Sequence, residues 1–191
     1  CWGWHWRGIQ GKRPDLKIYI VDFIKANLLH AKKFLEEDID KNIYLIHGDA
    51  TDLIFCDCLF DGVWTVQTFQ HIPQFNLAVN EAWRVLKPSG VFANYSFNDQ
   101  LLIKLIYRMF RREYMVQGHV PDKFYLARAS KKQFEYVKEV FGAEKTYRRY
   151  TEILFKRELG ISVAGKEDSL LGKIDCYLSN NIGIFSTIAR Q

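Results

Sequence analysis

The chain has 191 residues, of which 48% are hydrophobic and 26% are charged. This composition is typical of a folded globular protein and excludes an extended disordered chain, and the length suits one domain. The net charge of +5 permits an anionic partner, but a basic surface without a specific partner is the simpler interpretation.

The sequence shows no membrane-spanning or disulfide pattern. No apolar run approaches the roughly 20 residues that a transmembrane helix needs, and no signal-peptide pattern is present. We therefore expect a cytoplasmic protein without a transmembrane segment. The cysteine spacing fits neither a disulfide framework nor a paired-cysteine zinc site, which predicts reduced thiols and no metal. The cysteines are Cys1, Cys56, Cys58 and Cys176.

Strands and helices alternate in the first half of the chain. Short apolar runs predict strands at residues 17–22, 43–46, 62–66 and 90–96. Amphipathic patterns predict helices at residues 24–37 and 75–86. The apolar stripe of the first helix consists of Ile24, Leu28, Ala31 and Leu35. This alternation predicts an α/β fold with a doubly wound, mostly parallel sheet and helices on both faces.

The second half of the chain has a different pattern. Helices are predicted at residues 101–112, 130–141 and 169–178, the second with Ser130 at its cap. Strands are predicted at residues 144–155 and 182–189.

Polar groups follow the predicted strands, at the edge where open α/β sheets bind their ligands. Asp22 ends the first strand, and its carboxylate can accept hydrogen bonds from both hydroxyls of a ribose. Phe23 offers a face to a flat ring. Gly48 allows such a ring to approach the backbone, and Asp49 can accept a bond from an exocyclic amine. Together these residues describe an adenosine site, although each aspartate alone could simply cap the next turn.

The segments GDATDLIF, FDGVWTVQTFQHIP and NEAWRVLKPSGVF resemble the class I S-adenosylmethionine-dependent methyltransferases. The resemblance is to the branch related to the ubiquinone and menaquinone biosynthesis methyltransferases. It extends back through IYIVDFIKANLLHAKK and covers roughly the first half of the chain in continuous register. The second half shows only a general likeness.

The resemblance implies a single methyltransferase domain over residues 1–191, with a Rossmann-like sheet. Residues 1–96 would form the cofactor-binding half and residues 97–142 a helical lid over the substrate. Residues 143–191 would form a C-terminal strand, helix and strand, the last strand being antiparallel.

The resemblance also implies S-adenosyl-L-methionine as the cofactor. Asp22 would hold its ribose and Phe23 would pack on its adenine. Asp49 would accept the adenine amino group, with Gly48 and Ala50 beside it.

The amino-acid end of this cofactor would meet two further positions. Gln67 would lie where the backbone contacts it, and Gly3 would be the last glycine of a loop that the family places before the ribose acid. Cys1 stands where the family usually has another glycine, and the strand before that loop is not in this sequence. We therefore expect reduced stability, weakened cofactor binding and a longer natural protein.

Two features near the predicted site have alternative interpretations. His71 follows the third strand, and its imidazole could act as a general base or orient a substrate, or it could cap the next helix. The spacing of Trp2, Trp4 and Trp6 would suit contact with a sulfonium cation or a strand, but packing in the core is the preferred interpretation.

Charged residues elsewhere are expected to have structural roles. Glu81 and Arg84, three apart on a helix, predict a surface ion pair worth about 0.2–0.5 kcal/mol. A basic and aromatic set could be simply solvated, line a substrate lid, meet an anionic membrane surface or bind RNA, and we favour the lid. Its members are Arg108, Arg111, Arg112, Arg128, Tyr107, Phe110, Tyr114 and Tyr125.

The predicted function is transfer of a methyl group from S-adenosylmethionine to an O, N or C nucleophile of a small, partly apolar molecule. No stable nucleic-acid partner is expected. One alternative is an inactive methyltransferase fold that serves as a binding or scaffold subunit. A less favoured one is an NAD-dependent oxidoreductase, which should carry GxGxxG before its second strand.

Overall fold

The computed structural model describes residues 3–99, 101–120 and 124–148, together with the single positions 173, 177 and 181. Its internal contacts group the chain into two compact units, Cys1–Ser96 and Phe97–Gln191. In the described ranges, no helix has both the length and the apolar character that crossing a bilayer requires. The assignment of residues 1–191 to one domain stays a prediction.

The first unit begins with two short helical turns that the sequence did not predict. A 3₁₀ turn (Trp4–Trp6) is followed by helix α1 (Ile9–Lys12). The strand interpretation of the tryptophan spacing is therefore wrong. The packing interpretation is confirmed for Trp6, which contacts the hydrophobic core and meets the ring of Trp64 edge-on at 5.0 Å. Cys1 and Trp2 lie outside the described residues.

A parallel pair of strands follows. Strand β1 (Ile18–Asp22) pairs with β2 (Ile43–His47) along their whole length, so that Asp22 lies opposite His47. Helix α2 (Lys25–Phe34) forms the crossover that a parallel pair requires. A 3₁₀ turn (Glu36–Asp38) occupies the end of the predicted helix.

Helix α2 packs its apolar stripe on this pair. Leu28, Ala31 and Leu35 are buried in one cluster with Ile18, Ile20 and Ile43. Burial of each large aliphatic side chain contributes about 1.5–3 kcal/mol. Ile24 was wrongly assigned to the stripe: it is exposed and extended at the N-cap position, because its N–H donates to Asp22 before the helix begins.

A second parallel pair completes the described part of the first unit. Strand β3 (Phe60–Val66) pairs with β4 (Leu86–Tyr95), and helix α3 (Phe75–Val85) connects them after a 3₁₀ turn (Phe69–His71). The buried face of α3 consists of Ala78, Val79, Ala82 and Val85. Both pairs are parallel and joined by helices, which confirms the predicted α/β class. Among the described strands, hydrogen bonds form only these two parallel pairs and one antiparallel pair.

The second unit begins with helix α4 (Leu101–Met109), three residues shorter than predicted. The helix ends because Arg111 adopts a left-handed conformation, with φ of 51°. The N–H of Arg112 donates to the carbonyl of Tyr107 at 2.8 Å, and that of Arg111 to Arg108 at 3.1 Å. These two bonds are those of a Schellman motif, which turns the chain away from the helix axis.

A short hairpin, not predicted, and a helix complete the described part of this unit. Strand β5 (Gln117–His119) pairs antiparallel with β6 (Tyr125–Ala127). Helix α5 (Lys131–Phe141) begins at the predicted cap, where Ser130 and Gln133 form a capping box with bonds of 3.2 and 3.0 Å.

The predicted strand at residues 144–155 is wrong at its start. Gly142 ends α5 with φ of 90°, and Ala143–Lys145 form a 3₁₀ turn. Residues 149–155 lie outside the described residues, as do most of the predicted helix at 169–178 and all of the predicted strand at 182–189. Positions 173 and 177 are helical, in agreement with the predicted helix, and position 181 is helical as well.

Candidate functional site

Asp22 stands at the carboxyl end of β1 and is tied to the start of α2. Its Oδ1 accepts a bond of 2.8 Å from the N–H of Ile24. The side-chain amide of Asn27 lies 3.2 Å from both carboxylate oxygens. The carboxylate thus caps the turn into α2, as the structural interpretation of the sequence predicted. These bonds fix its position at the strand end.

The second strand end lies directly beside the first. The N–H of Gly48 donates to the main-chain carbonyl of Asp22 at 3.3 Å. A side chain at Gly48 would meet Cγ1 of Val21 at 3.3 Å, a tight contact. The absence of a Cβ there lets the two strand ends approach each other, so the glycine has a packing role whether or not a ligand binds.

Asp49 begins a polar turn after β2. Its Oδ1 accepts bonds of 2.8 Å from both the N–H and the hydroxyl of Thr51. The side chain is exposed, and Ala50 lies half-buried in the same turn. Asp49 therefore caps its own turn as Asp22 does, while its carboxylate remains accessible to solvent.

Phe23 and His47 flank these two ends. The Phe23 ring is largely exposed, and its centroid lies 6.4 Å from that of the His47 imidazole. Nε2 of His47 is 3.0 Å from the carbonyl oxygen of Phe23, so its N–H tautomer donates a bond across the two strands. We call Asp22, Phe23, His47, Gly48 and Asp49 the strand-end site.

Gly3, the predicted loop glycine, is buried against α2. With φ of 78°, it has a backbone conformation that side chains disfavour. A Cβ added there would lie 2.8 Å from Cδ1 of Leu35 and 3.4 Å from Cβ of Ala31. This position therefore requires glycine for two independent reasons, its backbone angle and its packing.

Gln67 and His71 follow β3. Gln67 has φ of 53°, an uncommon angle for a residue with a side chain, and its N–H donates to the carbonyl of Tyr95 at 2.7 Å. Because this N–H is occupied, only the carbonyl or the side chain of Gln67 can contact a ligand. His71 is exposed, with its Nε2 3.2 Å from the amide nitrogen of Gln70. The suggestion that it caps α3 is wrong, because Gln74 holds that position.

Arg84 has a larger role than the predicted surface ion pair. Its guanidinium binds both carboxylate oxygens of Glu81 at 2.7 Å, the carboxylate of Asp57 at 2.7 Å, and the carbonyls of Leu53 and Phe55 at 2.9 and 2.8 Å. The predicted i,i+3 ion pair is confirmed, but it is one part of a larger set of bonds and is only partly exposed. The contacts hold the loop that follows Asp49 against α3.

In the described ranges, no three His, Cys, Asp or Glu side chains lie close enough together to hold a metal ion. Cys56 and Cys58 are free and exposed.

Comparison with known proteins places this arrangement in a family. The profile of the methyltransferase domain family matches residues 1–94. A malonyl-[acyl-carrier protein] O-methyltransferase of Buchnera aphidicola is 30% identical over 114 residues, which are 59% of this chain and 44% of that protein. A demethylmenaquinone methyltransferase of Geobacillus is 31% identical over 101 residues, 51% of this chain and 43% of that protein.

The chain has the fold of the class I methyltransferases. A solved S-adenosylmethionine-dependent methyltransferase of Methanosarcina mazei shares the fold, with a TM-score of 0.56 and 15% identity over 78% of this chain and 79% of the other. The chain spans less than half the length of the Buchnera and Geobacillus relatives.

The strand-end site of this chain has the chemical groups that a nucleoside requires. Two carboxylates at adjacent strand ends can accept bonds from hydroxyl and amino groups, and the exposed ring of Phe23 can cover a purine. A carboxylate has about four lone-pair positions, and that of Asp22 already accepts from Ile24 and Asn27. Ribose hydroxyls that bind both of its oxygens would therefore compete with the Asn27 amide.

Two further residues at the strand-end site were not identified in the sequence analysis. The spacing of Asn27 from Asp22 places it in the first turn of α2, and this could have indicated an amide facing the carboxylate. His47 lies opposite Asp22 because of the register between β1 and β2, and the predicted strand ended one residue before it.

Proposed function

We propose that the chain binds S-adenosylmethionine at the strand-end site and transfers its methyl group to an O, N or C nucleophile. The observation that carries this proposal is the pairing of Asp22 with the end of β2, where Gly48 donates to the Asp22 carbonyl at 3.3 Å. The family match over residues 1–94 supports it. When bound, the cofactor would supply a methyl group on a positively charged sulfur. A nucleophile would attack the methyl carbon in line, and the sulfur would leave as a neutral thioether.

Each residue of the site would contribute one type of contact. Asp22 would accept hydrogen bonds from the ribose, and Asp49 from the adenine amino group. The ring of Phe23 would cover one face of the purine, beside Gly48 and Ala50. These contacts would orient the nucleoside at the strand ends.

Residues outside the strand-end site would complete the binding of the cofactor. The carbonyl or side chain of Gln67 is our candidate for contact with the amino-acid end, and the left-handed backbone there supports a functional role, since such conformations cluster at ligand sites. Gly3 remains a predicted contact with the same end of the cofactor.

The transfer step needs alignment more than it needs a base. Holding donor and acceptor in line gives effective molarities of about 10⁵–10⁸ M, so an acceptor that is already nucleophilic requires no strong base. His71 is exposed after β3 and is our candidate for orienting the acceptor or taking its proton.

The acceptor is proposed to be a small, partly apolar molecule. Demethylmenaquinone, named for the Geobacillus relative, is of this type. Because the chain spans less than half of its relatives, the activity of the 191-residue chain is itself part of the proposal.

Titration calorimetry with S-adenosylmethionine tests the proposal. We expect binding by the chain and a loss of affinity of about 10- to 100-fold in Asp22→Ala, since a hydrogen bond to a charged group is worth about 1.5–3 kcal/mol. Asp61→Ala is the matched control, because Asp61 is an exposed aspartate paired only with Lys87 on the described surface, and its affinity should not change.

Three outcomes would contradict the proposal. Unchanged affinity in Asp22→Ala would refute the ribose assignment. Tighter binding of NAD than of S-adenosylmethionine would favour an oxidoreductase, and the absence of binding to either would favour a binding or scaffold subunit. Where binding is found, release of labelled methyl groups to candidate quinones and carboxylic acids measures the transfer itself.

A further inference from the structure

Helix α4 exposes two large apolar side chains to solvent. Leu105 and Met109 are 52% and 73% exposed, whereas Lys104 and Tyr107 on the other side are half-buried. A surface helix of a globular protein normally buries its aliphatic stripe and exposes its charges. Leu105 and Met109 depart from this pattern, so the face of α4 on which they lie is suited to an apolar environment.

The buried side of the helix is held by its own contacts. Nζ of Lys104 binds Oδ2 of Asp99 at 2.7 Å and lies 5.9 Å from the ring centroid of Tyr114. The ring of Tyr107 meets that of Tyr114 edge-on at 5.4 Å. These contacts fix the orientation of α4 and keep Leu105 and Met109, which are one helical turn apart, on its open face.

The end of the helix adds one more apolar side chain and three positive charges. Phe110 is 62% exposed, directly before the Schellman turn. Arg108, Arg111 and Arg112 are all exposed, and no ion pair with a described residue neutralises them. Glu113 is the only acid between residues 101 and 120. We call Leu105, Met109, Phe110 and these three arginines the α4 surface.

We propose that the α4 surface docks on a membrane that carries anionic lipids. Leu105, Met109 and Phe110 would enter the boundary between headgroups and acyl chains. The arginines would bind lipid phosphates, as in amphipathic helices that lie in the plane of a bilayer. At nine residues, or about 13 Å, α4 can lie on a membrane but cannot span one.

The side chains favour lipid over nucleic acid as the partner. Single-stranded RNA is held by planar aromatic side chains on which its bases stack. Two of the three apolar groups of the α4 surface, Leu105 and Met109, are aliphatic and cannot stack, but both can enter an acyl layer. The arginines alone would suit either partner, so the aliphatic pair decides between them.

Co-sedimentation of the full chain with lipid vesicles tests the proposal. We expect binding to phosphatidylcholine vesicles that contain phosphatidylglycerol, little binding to pure phosphatidylcholine, and weaker binding as salt is raised. Each arginine near an anionic surface contributes a factor of about five in affinity, so Arg108→Gln combined with Arg112→Gln should weaken binding about 25-fold. Lys131→Gln combined with Lys132→Gln on α5 is the charge control and should have no comparable effect.

A second pair of variants tests the apolar contribution. Leu105→Ser combined with Met109→Ser should weaken vesicle binding at least tenfold, since each apolar contact with the acyl layer is lost. Leu77→Ser on α3, also 52% exposed, is the matched control and should bind as the parent chain does. All these side chains are exposed, and circular dichroism checks that each variant keeps its helical signal.

Several results would overturn the proposal. These are no binding to anionic vesicles, equal binding to neutral vesicles, and equal loss in the α4 variants and their controls. Binding of RNA oligonucleotides in place of vesicles, lost in the Arg108 and Arg112 double variant, would identify the partner as nucleic acid. None of these outcomes depends on methyl transfer, so the membrane proposal and the proposed function fail or succeed separately.

Discussion

Arg84 binds Glu81 through two parallel hydrogen bonds of 2.7 Å. This pair, which we call the loop clamp, holds the loop after Asp49 against helix α3. The N–H of Leu53 donates to Oε2 of Glu81 at 2.7 Å, and its carbonyl accepts from Arg84 at 2.9 Å. One residue of the loop is thereby bonded to both members of the pair. The side chains of Arg84 and Glu81 are 29% and 17% exposed, so water competes only partly for these bonds.

We expect Arg84→Ala to lower the thermal midpoint of the chain by several degrees, because it removes the donor of two hydrogen bonds to Glu81 and of two to loop carbonyls. Arg84→Lys should recover only part of the loss, since an ammonium group cannot make the two-pronged contact. Arg13→Ala is the control: Arg13 forms an equally short pair with Asp15, but both side chains are largely exposed. Calorimetric scanning measures all three, and equal shifts for Arg84→Ala and Arg13→Ala would contradict the clamp.

The same pair predicts a pH dependence of stability. The hydrogen bonds from Arg84, and after them that from Leu53, hold the pKa of Glu81 below its ordinary value of 4.5 although partial burial opposes them. The unfolded chain therefore binds the proton first as the pH falls. The stabilisation by Glu81 is complete above about pH 4.5 and is lost as the pH falls through the lowered pKa of the folded state.

Urea unfolding of the parent chain and of Glu81→Gln between pH 7 and pH 3 measures this contribution. Glu81→Gln should be less stable than the parent at pH 7, and the difference should narrow below pH 4.5. A difference that stays constant over this range would mean that the Glu81 charge contributes nothing to the clamp.

Alanine substitutions at two glycines can distinguish the cost of overpacking from the cost of an unfavourable backbone conformation. Gly3 and Gly8 have similar left-handed angles, with φ of 78° and 68°, but a Cβ at Gly3 meets Leu35 at 2.8 Å and one at Gly8 meets nothing within 4 Å. Gly8→Ala should therefore cost only the backbone penalty of about 1–2 kcal/mol. Gly3→Ala should cost about 1–3 kcal/mol more, because the added methyl group overpacks the contact with α2. Urea unfolding measures the free energy of unfolding of both variants. Equal losses of stability would show that the Leu35 side chain can move aside without a cost in free energy.

The parallel strands and their terminal residues were predictable because they depend on local patterns. Continuous apolar runs mark buried strands, and the residue that ends each run stands at the sheet edge where Asp22 and Gly48 are found. The bounds of α4 were less predictable. Its apolar pattern continues to Phe110, but the left-handed backbone angle of Arg111 ends the helix. An arginine in the sequence does not indicate such an angle.

Long-range contacts explain the larger errors. Arg84 and Leu53 are 31 residues apart, so no local spacing distinguishes the loop clamp from a surface pair. The β5–β6 hairpin was missed because strands of three residues are too short for a period-two pattern to be recognised. At the strand-end site, His47 was missed because its position depends on the register between β1 and β2.

Substitutions of Asp22 can separate its structural role from its proposed role in binding. Asp22→Ala removes the acceptor for Ile24 and Asn27, and the loss of this cap should cost about 1 kcal/mol in urea unfolding. Asp22→Asn keeps an oxygen that can accept from Ile24, so its stability should lie close to that of the parent chain.

The two variants should behave alike in binding, although they differ in stability. An amide oxygen accepts more weakly than a carboxylate, and the amide nitrogen of Asn cannot accept from a second hydroxyl. We therefore expect Asp22→Asn to lose about tenfold or more in affinity for S-adenosylmethionine while it unfolds at nearly the same urea concentration as the parent. If affinity instead follows stability across the parent, Asn and Ala chains, Asp22 acts only by capping α2, and the ribose must be held by other residues.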